Sequence, residues 1–191
     1  MLTKSLKGKD YISLMDYSRE ELETILEVAM DLKRKLALGE PHEYLKNKTL
    51  GMIFANPSTR TRTSFEAAMT QLGGHAQFHT PEVMQIAHHE TWIDTAKVLD
   101  RYIDGIMIRM YGIGKYGSAR EILNVMAESA EIPIFNALDD KEHPCQIIAD
   151  IMTMMEKLGP NWREKKVVMS WAYSGRVKSP GVPQTMALAA S

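Results

Sequence analysis

Residues 49–66 read Thr49-Leu-Gly-Met-Ile-Phe54, Ala55-Asn56, then Pro57-Ser-Thr-Arg-Thr-Arg-Thr-Ser-Phe-Glu66. The first run is short and apolar, as a buried strand is, and the last opens a helix-like stretch that ends at Gly73-Gly74. A strand, a hydroxyl-rich turn and a helix in succession present free backbone N–H groups to an anion. Ser58, Thr59 and Thr61 add hydroxyl donors. Arg60 and Arg62 add planar, permanently charged forks that match phosphate oxygens. Taken alone, the run equally fits an N-capped helix with two solvated arginines.

The same alternation extends along the chain. Ser18-Arg-Glu-Glu21 has capping-box spacing and leads into a helix with Leu22, Ile25, Leu26, Ala29, Leu32 and Leu36 on one face, stopped by Gly39 and Pro41. The helix after the hydroxyl turn should turn Phe65, Ala68, Met69 and Leu72 inward, and His75–His79 reads as a second strand. Residues 80–90 read as a loop. A helix over 91–103 should bury Ile93, Ala96, Leu99 and Ile103, and 104–111 forms a third strand. Ser118-Ala-Arg-Glu121 starts a capped helix, 132–137 is a fourth strand and 143–158 a long helix. Beyond Gly159-Pro160 a fifth strand is expected over 165–173 and a further helix over 182–190. Strands separated by helices predict an α/β fold with a parallel sheet of about four strands. Residues 1–158 would form one unit and 159–191 the start of a second.

Composition narrows the function. The 191 residues carry 23 basic against 24 acidic side chains, a formal net charge of −1, with no basic block to suggest nucleic acid or a membrane surface. One cysteine, Cys145, excludes an internal disulfide and points to a reducing compartment; with no signal-like leader and no membrane-length run, a cytoplasmic protein is expected.

Ligands of open parallel sheets sit beyond the carboxyl ends of the strands. Three polar clusters fall there: Ser58–Arg62 after the first strand, Arg109 at the end of the third, and His143-Pro-Cys-Gln146 after the fourth. Each has a structural alternative. Arg109 could bond nearby carbonyls, His143 could cap its helix, and Gln146 could bond its own backbone. Three such coincidences at one edge are less plausible than one site. His88-His89-Glu90 reads as loop polarity, since adjacent side chains diverge and no second spaced pair supports a metal. Cys145, two residues from His143, does not face it on a helix and reads as packing.

Ser58-Thr-Arg-Thr-Arg62 with Ser64-Phe-Glu66 resembles the carbamoyl-phosphate signature of the aspartate/ornithine carbamoyltransferase family. His143-Pro-Cys-Gln146 with Ala149-Asp150 is similar to that family's second motif. The resemblance implies a carbamoyltransferase in which Ser58, Thr59, Arg60, Thr61 and Arg109 hold phosphate. Thr61, Arg109 and His143 would surround the carbamoyl oxygen and Gln146 the carbamoyl nitrogen. Arg62 and Glu66 would form a supporting ion pair. It implies carbamoyl phosphate and an amino-acid amine as partners, with no metal, no cofactor and no covalent intermediate. It also implies a homotrimer with sites between subunits, to which Gln85 would contribute from a neighbour, as in ornithine-type members. Aspartate-type members favour a lysine in this loop, and none occurs between Gly74 and Thr95. Ser170-Trp-Ala-Tyr173 and Ser179-Pro-Gly-Val-Pro-Gln184 resemble the knotted members that act on acylated ornithines or have unassigned substrates. The family's second-domain motif His-Cys-Leu-Pro does not occur, so the resemblance implies an inactive fragment that binds carbamoyl phosphate weakly; the alternative is a non-catalytic binding module or truncated partner subunit.

Overall fold

The computed structural model describes residues 5–171, 173, 175 and 178–191. In chain order the regular elements are α1 (Arg19–Leu38), β1 (Thr49–Phe54), α2 (Thr59–Gln71), β2 (His75–His79), α3 (Trp92–Leu99), β3 (Gly105–Arg109), α4 (Ser118–Ser129), β4 (Ile134–Asn136), α5 (Pro144–Leu158) and α6 (Gly181–Ala189), with short 3-10 turns between some of them. The four strands form one sheet in the order β2-β1-β3-β4, and every pairing is parallel. The expected α/β class and four-stranded sheet are therefore observed.

Side chains alternate across the sheet with the period of two that a pleated strand imposes. Leu50, Met52 and Phe54 of β1 face one way, with Met107 and Met69 of α2. Ile53, Ile106 and Ile108 face the other, against Ala96 of α3 and Ala119, Leu123 and Met126 of α4. A third cluster joins Leu26 of α1 to Ile147 and Ile148 of α5, with Tyr11 and Leu14 between them. Met52, Ile53, Ile106, Met107 and Ile108 are completely or almost completely buried, which explains why the central strands read as continuous apolar runs. The turn from α2 into β2 needs glycine at Gly74, where an added Cβ would lie 2.9 Å from the Lys48 carbonyl oxygen.

Several expectations are corrected. Ile93 is 43% exposed and Leu36 47%, and Ala68 is exposed too, because each lies beyond the patch its helix actually covers. α4 is capped differently from the expected Ser118 start. Gly117, at φ +95°, occupies the cap position, and Asp140 accepts the N–H groups of Gly117 (3.2 Å) and Ala119 (3.1 Å). Residues 80–90 contain 3-10 turns at Pro81–Val83 and Gln85–His88.

The expected fifth strand over 165–173 is not formed in its described residues; Ala172 lies outside them. No described strand runs beside this stretch, and an extended segment without a ladder partner gives its backbone groups to water. Val168, Trp171 and Tyr173 are accordingly exposed. Among the described residues no helix is long and apolar enough to cross a membrane.

Candidate functional site

The strand order turns back on itself between β1 and β3. After β1 the chain adds β2 on one side, then returns to place β3 on the other. Crossovers from the two strands diverge there and leave a crevice at their carboxyl ends. Phe54, the last residue of β1, is in register with Arg109, the last residue of β3. The hydroxyl-rich turn and Arg109 thus reach the same crevice from neighbouring strands.

Ser58 is the N-cap of α2, with its Oγ accepting the Thr61 N–H at 3.2 Å. The preceding N–H groups, of Thr59 and Arg60, have no acceptor within the helix. The run is a capped helix start, and it is also a set of donors at a positive helix end. The two arginines differ. Arg62 is fixed by Glu66 (Nε to Oε1, 3.0 Å) and lies 3.7 Å over the Phe78 ring, whereas Arg60 lines the crevice.

Arg109 is half-buried. Its Nη1 donates to Thr61 Oγ1 at 3.4 Å and to the Ala137 carbonyl at 3.5 Å, both long contacts. Its Nε is buried without a hydrogen-bond partner, so the bonding to nearby carbonyls that would explain it structurally is incomplete.

The loop joining β4 to α5 carries His143. Leu138 stands at φ +125°, a strained conformation for a side chain with a Cβ, and lines the crevice. Asp139 accepts the N–H groups of Lys141 and Glu142, both at 2.7 Å, and is bound through its other oxygen by Arg120 Nε. Glu142 takes Ser13 Oγ at 2.6 Å, the Leu14 N–H at 3.0 Å and Arg120 Nη2 at 3.2 Å. Asp140 holds Gly112 N–H at 2.8 Å and the start of α4. All three acids are buried.

His143 begins α5, but its side chain makes no capping bond; its backbone N–H donates to Thr185 Oγ1 of α6 at 2.7 Å. Its Nδ1 is buried and unpartnered. Burial, reinforced by the Arg109 charge, pulls its pKa down to about 4, so the imidazole is neutral at pH 7. Gln146 donates through Nε2 to Asp150 Oδ1 at 2.9 Å rather than to its own backbone. The Cys145 Sγ points to the Asn136 carbonyl at 3.6 Å, and burial pushes its thiol pKa up to about 12, against nucleophilic use.

Ser58, Arg60, Thr61, Arg109, His143 and Gln146 line one cleft of about 510 Å³. Thr59 lines an adjoining cleft of about 660 Å³ on the other side of the turn, with Arg62, Glu66 and Phe78. Gln85 is exposed and lines neither. Several lining residues carried no sequence signal as site residues, Leu138 and Ser179 among them. Tyr111 lies just past Arg109, and Lys178 and Val182 arrive only because the tail folds back. Among the described residues no group of three or more His, Cys, Asp or Glu is arranged to hold a metal ion.

The crevice at the carboxyl ends of β1 and β3 gathers this donor set on a parallel α/β domain, and residues 9–156 match the family model for the aspartate/ornithine carbamoyltransferase carbamoyl-P binding domain. The chain belongs to the aspartate/ornithine carbamoyltransferase family. It is 50% identical over 153 residues to the ornithine carbamoyltransferase of Halalkalibacterium halodurans, covering 80% of this chain and 46% of the relative. The solved ornithine carbamoyltransferase of Pyrococcus furiosus superposes with a TM-score of 0.75 at 47% identity, over 82% of this chain and 48% of that one. An acetylornithine transcarbamylase complexed with acetylcitrulline superposes with a TM-score of 0.81 at 31% identity, over 94% of this chain and 57% of that one. The chain spans about half the length of the relatives it matches.

Proposed function

We propose that the protein supplies the carbamoyl-phosphate half of a carbamoyltransferase, with residues 1–158 binding that substrate and 159–191 beginning the unit that binds the amine acceptor. The observation that carries this reading is the meeting of Thr61, Arg109, His143 and Gln146 on one cleft at the strand-order reversal. Ser58, Thr59, Arg60, Thr61 and Arg109 would hold the phosphate through hydroxyls, helix N–H groups and guanidinium forks. The unpartnered donor of Arg109 and a neutral His143 suit a developing oxyanion, because each can donate where negative charge builds on the carbamoyl oxygen. Gln146, with its nitrogen engaged by Asp150, has its oxygen left to accept from the carbamoyl NH₂.

In the reaction so assigned, the acceptor nitrogen attacks the carbonyl carbon. The carbon–oxygen bond to phosphate breaks, and phosphate departs with the electron pair and takes the proton that the amine loses. The site's contribution is to hold both reactants in register and to stabilise charge on oxygen. An ornithine-type acceptor is favoured over aspartate by the relatives' identities and by the absence of a lysine between residues 74 and 95. Gln85, exposed and away from its own cleft, would serve a neighbouring copy in a trimer.

Calorimetry with carbamoyl phosphate and with inorganic phosphate tests the assignment. Arg109→Ala should weaken both ligands by about a hundredfold, the scale of losing a charge-assisted hydrogen bond at a buried site. Gln146→Ala should weaken carbamoyl phosphate by about tenfold and leave inorganic phosphate nearly unaffected. Equal losses for the two ligands in Gln146→Ala would count against the carbamoyl assignment.

A further inference from the structure

Two side chains carry the hydrogen bonding of the sheet past the ends of its strands. The β1–β3 register closes at Phe54 beside Arg109, and the Ala55 N–H still donates to the Arg109 carbonyl at 2.9 Å. Continued in the same register, a parallel ladder would give the Tyr111 N–H to the Ala55 carbonyl. That N–H goes instead to Asn56 Oδ1, at 2.8 Å. On the other flank, the Met110 N–H donates to the Leu138 carbonyl at 2.9 Å and the Gly112 N–H to Asp140 Oδ1 at 2.8 Å. The N–H groups that follow Arg109 are thus divided between two loops. Met110 and Gly112 are tied to the loop that carries His143, and Tyr111 to the start of the hydroxyl-rich turn.

The turn side is the more lightly held. Among the described residues, two hydrogen bonds join segment 109–112 to the turn beyond Ala55: the Asn56 bond and the long 3.4 Å contact of Arg109 Nη1 with Thr61 Oγ1. Arg109 does little to place itself, since its other Nη1 contact is also long, at 3.5 Å, and its Nε has no partner. The direction of its guanidinium is therefore inherited from the backbone on either side of it. Pro57 offers no N–H and disfavours helical backbone at Asn56, which suits a chain leaving the sheet at this point. Asn56 lines the adjoining cleft and not the one that Arg109 lines. Its influence on an anion beside Arg109 must pass through the segment it holds.

We propose that Asn56 is a positioning residue for Arg109. Its side-chain carbonyl takes the place of the Ala55 carbonyl in the ladder, and so fixes the spacing between the Arg109 guanidinium and the Ser58–Arg62 turn. The inference rests on the reading of the cleft as a phosphate site and adds a residue that tunes this site without touching the anion.

The test combines calorimetry with amide hydrogen exchange followed by NMR. Asn56→Ala should weaken inorganic phosphate and carbamoyl phosphate by the same factor, about tenfold. It should also speed exchange of the Tyr111 amide, whereas Asn56→Asp keeps an acceptor oxygen and should leave that amide protected. In an Arg109→Ala background the loss from Asn56→Ala should vanish, a coupling that a merely stabilising residue would not show. In the unaltered protein, saturating phosphate should slow exchange at Tyr111 several-fold more than at Leu26 of α1, because binding and the held segment favour each other. Unchanged phosphate affinity in Asn56→Ala, losses that add in the double variant, or equal slowing at Tyr111 and Leu26 each overturns the role of Asn56 and leaves the cleft assignment standing. Should Asn56→Ala fail to fold, the exchange measurement on the unaltered protein decides. Failure of both inorganic phosphate and carbamoyl phosphate to bind the unaltered protein overturns the cleft assignment and this inference with it.

Discussion

His143 illustrates how burial sets a protonation state. A histidine in water is half protonated near pH 6.5, but here the ring is enclosed and sits near Arg109, so its pKa falls to about 4. The linkage has a definite sign. Between pH 6.5 and about 4 the unfolded chain binds a proton that the folded chain excludes, so stability is fully present above the unfolded pKa and declines as pH falls through this window. The loss approaches the order of 3 kcal/mol at its acid end. Urea unfolding from pH 7 to pH 4 should show this decline, and His143→Asn should flatten it; an identical pH dependence in the variant would remove His143 as its source. Under the proposed assignment, carbamoyl phosphate would place an anion beside the ring and raise the His143 pKa, which an NMR titration of the imidazole would register.

At the scale of elements, the loop between β4 and α5 depends on one cation. Arg120 reaches across from α4 to bind both Asp139 and Glu142, whose side chains are at most 5% exposed. Arg120→Met should cost about 3–5 kcal/mol in chemical unfolding, since it strands two buried carboxylates. Adding Asp139→Asn and Glu142→Gln to that variant should restore part of the loss; no recovery would show that the arginine acts through packing instead. This cluster also marks the limit of what the sequence discloses. The Ser18–Glu21 capping box was legible because its partners lie three residues apart at one helix start, whereas the Arg62–Glu66 pair came from the family resemblance and is formed at i,i+4. The cap of α4 was not, because Asp140 supplies it from 21 residues downstream of Ala119. Periodicity likewise found the stripes of α1, α2 and α3 but not their ends, which neighbouring elements decide, as the exposure of Ile93 and Leu36 shows. The meeting of Arg109 with the Ser58–Arg62 turn was readable because both follow the carboxyl ends of parallel strands, whereas Lys178 enters the cleft through a fold-back with no local pattern.

For the whole molecule, the tail has two characters. Val168, Trp171 and Tyr173 stand exposed, 75%, 60% and 97% respectively, yet a few residues later α6 is docked firmly enough that Thr185 is 1% exposed. Thr185→Val keeps the shape and deletes the acceptor of the His143 N–H, leaving that group buried and unpaired at a cost of about 1–3 kcal/mol. If α6 holds the loop in its working position, inorganic phosphate should bind more weakly to this variant by calorimetry; unchanged affinity would show that α6 stabilises the loop without shaping the cleft.

The bond between Thr185 and the His143 backbone makes the tail a tether on the site. Should Thr185→Val weaken phosphate binding, thermodynamic reciprocity applies in both directions: whatever lifts α6 from α5 would loosen the grip on an anion, and an anion that favours the held loop would tighten α6 in the same proportion. A reporter fixed on the far end of α6 would then register the filling of the cleft.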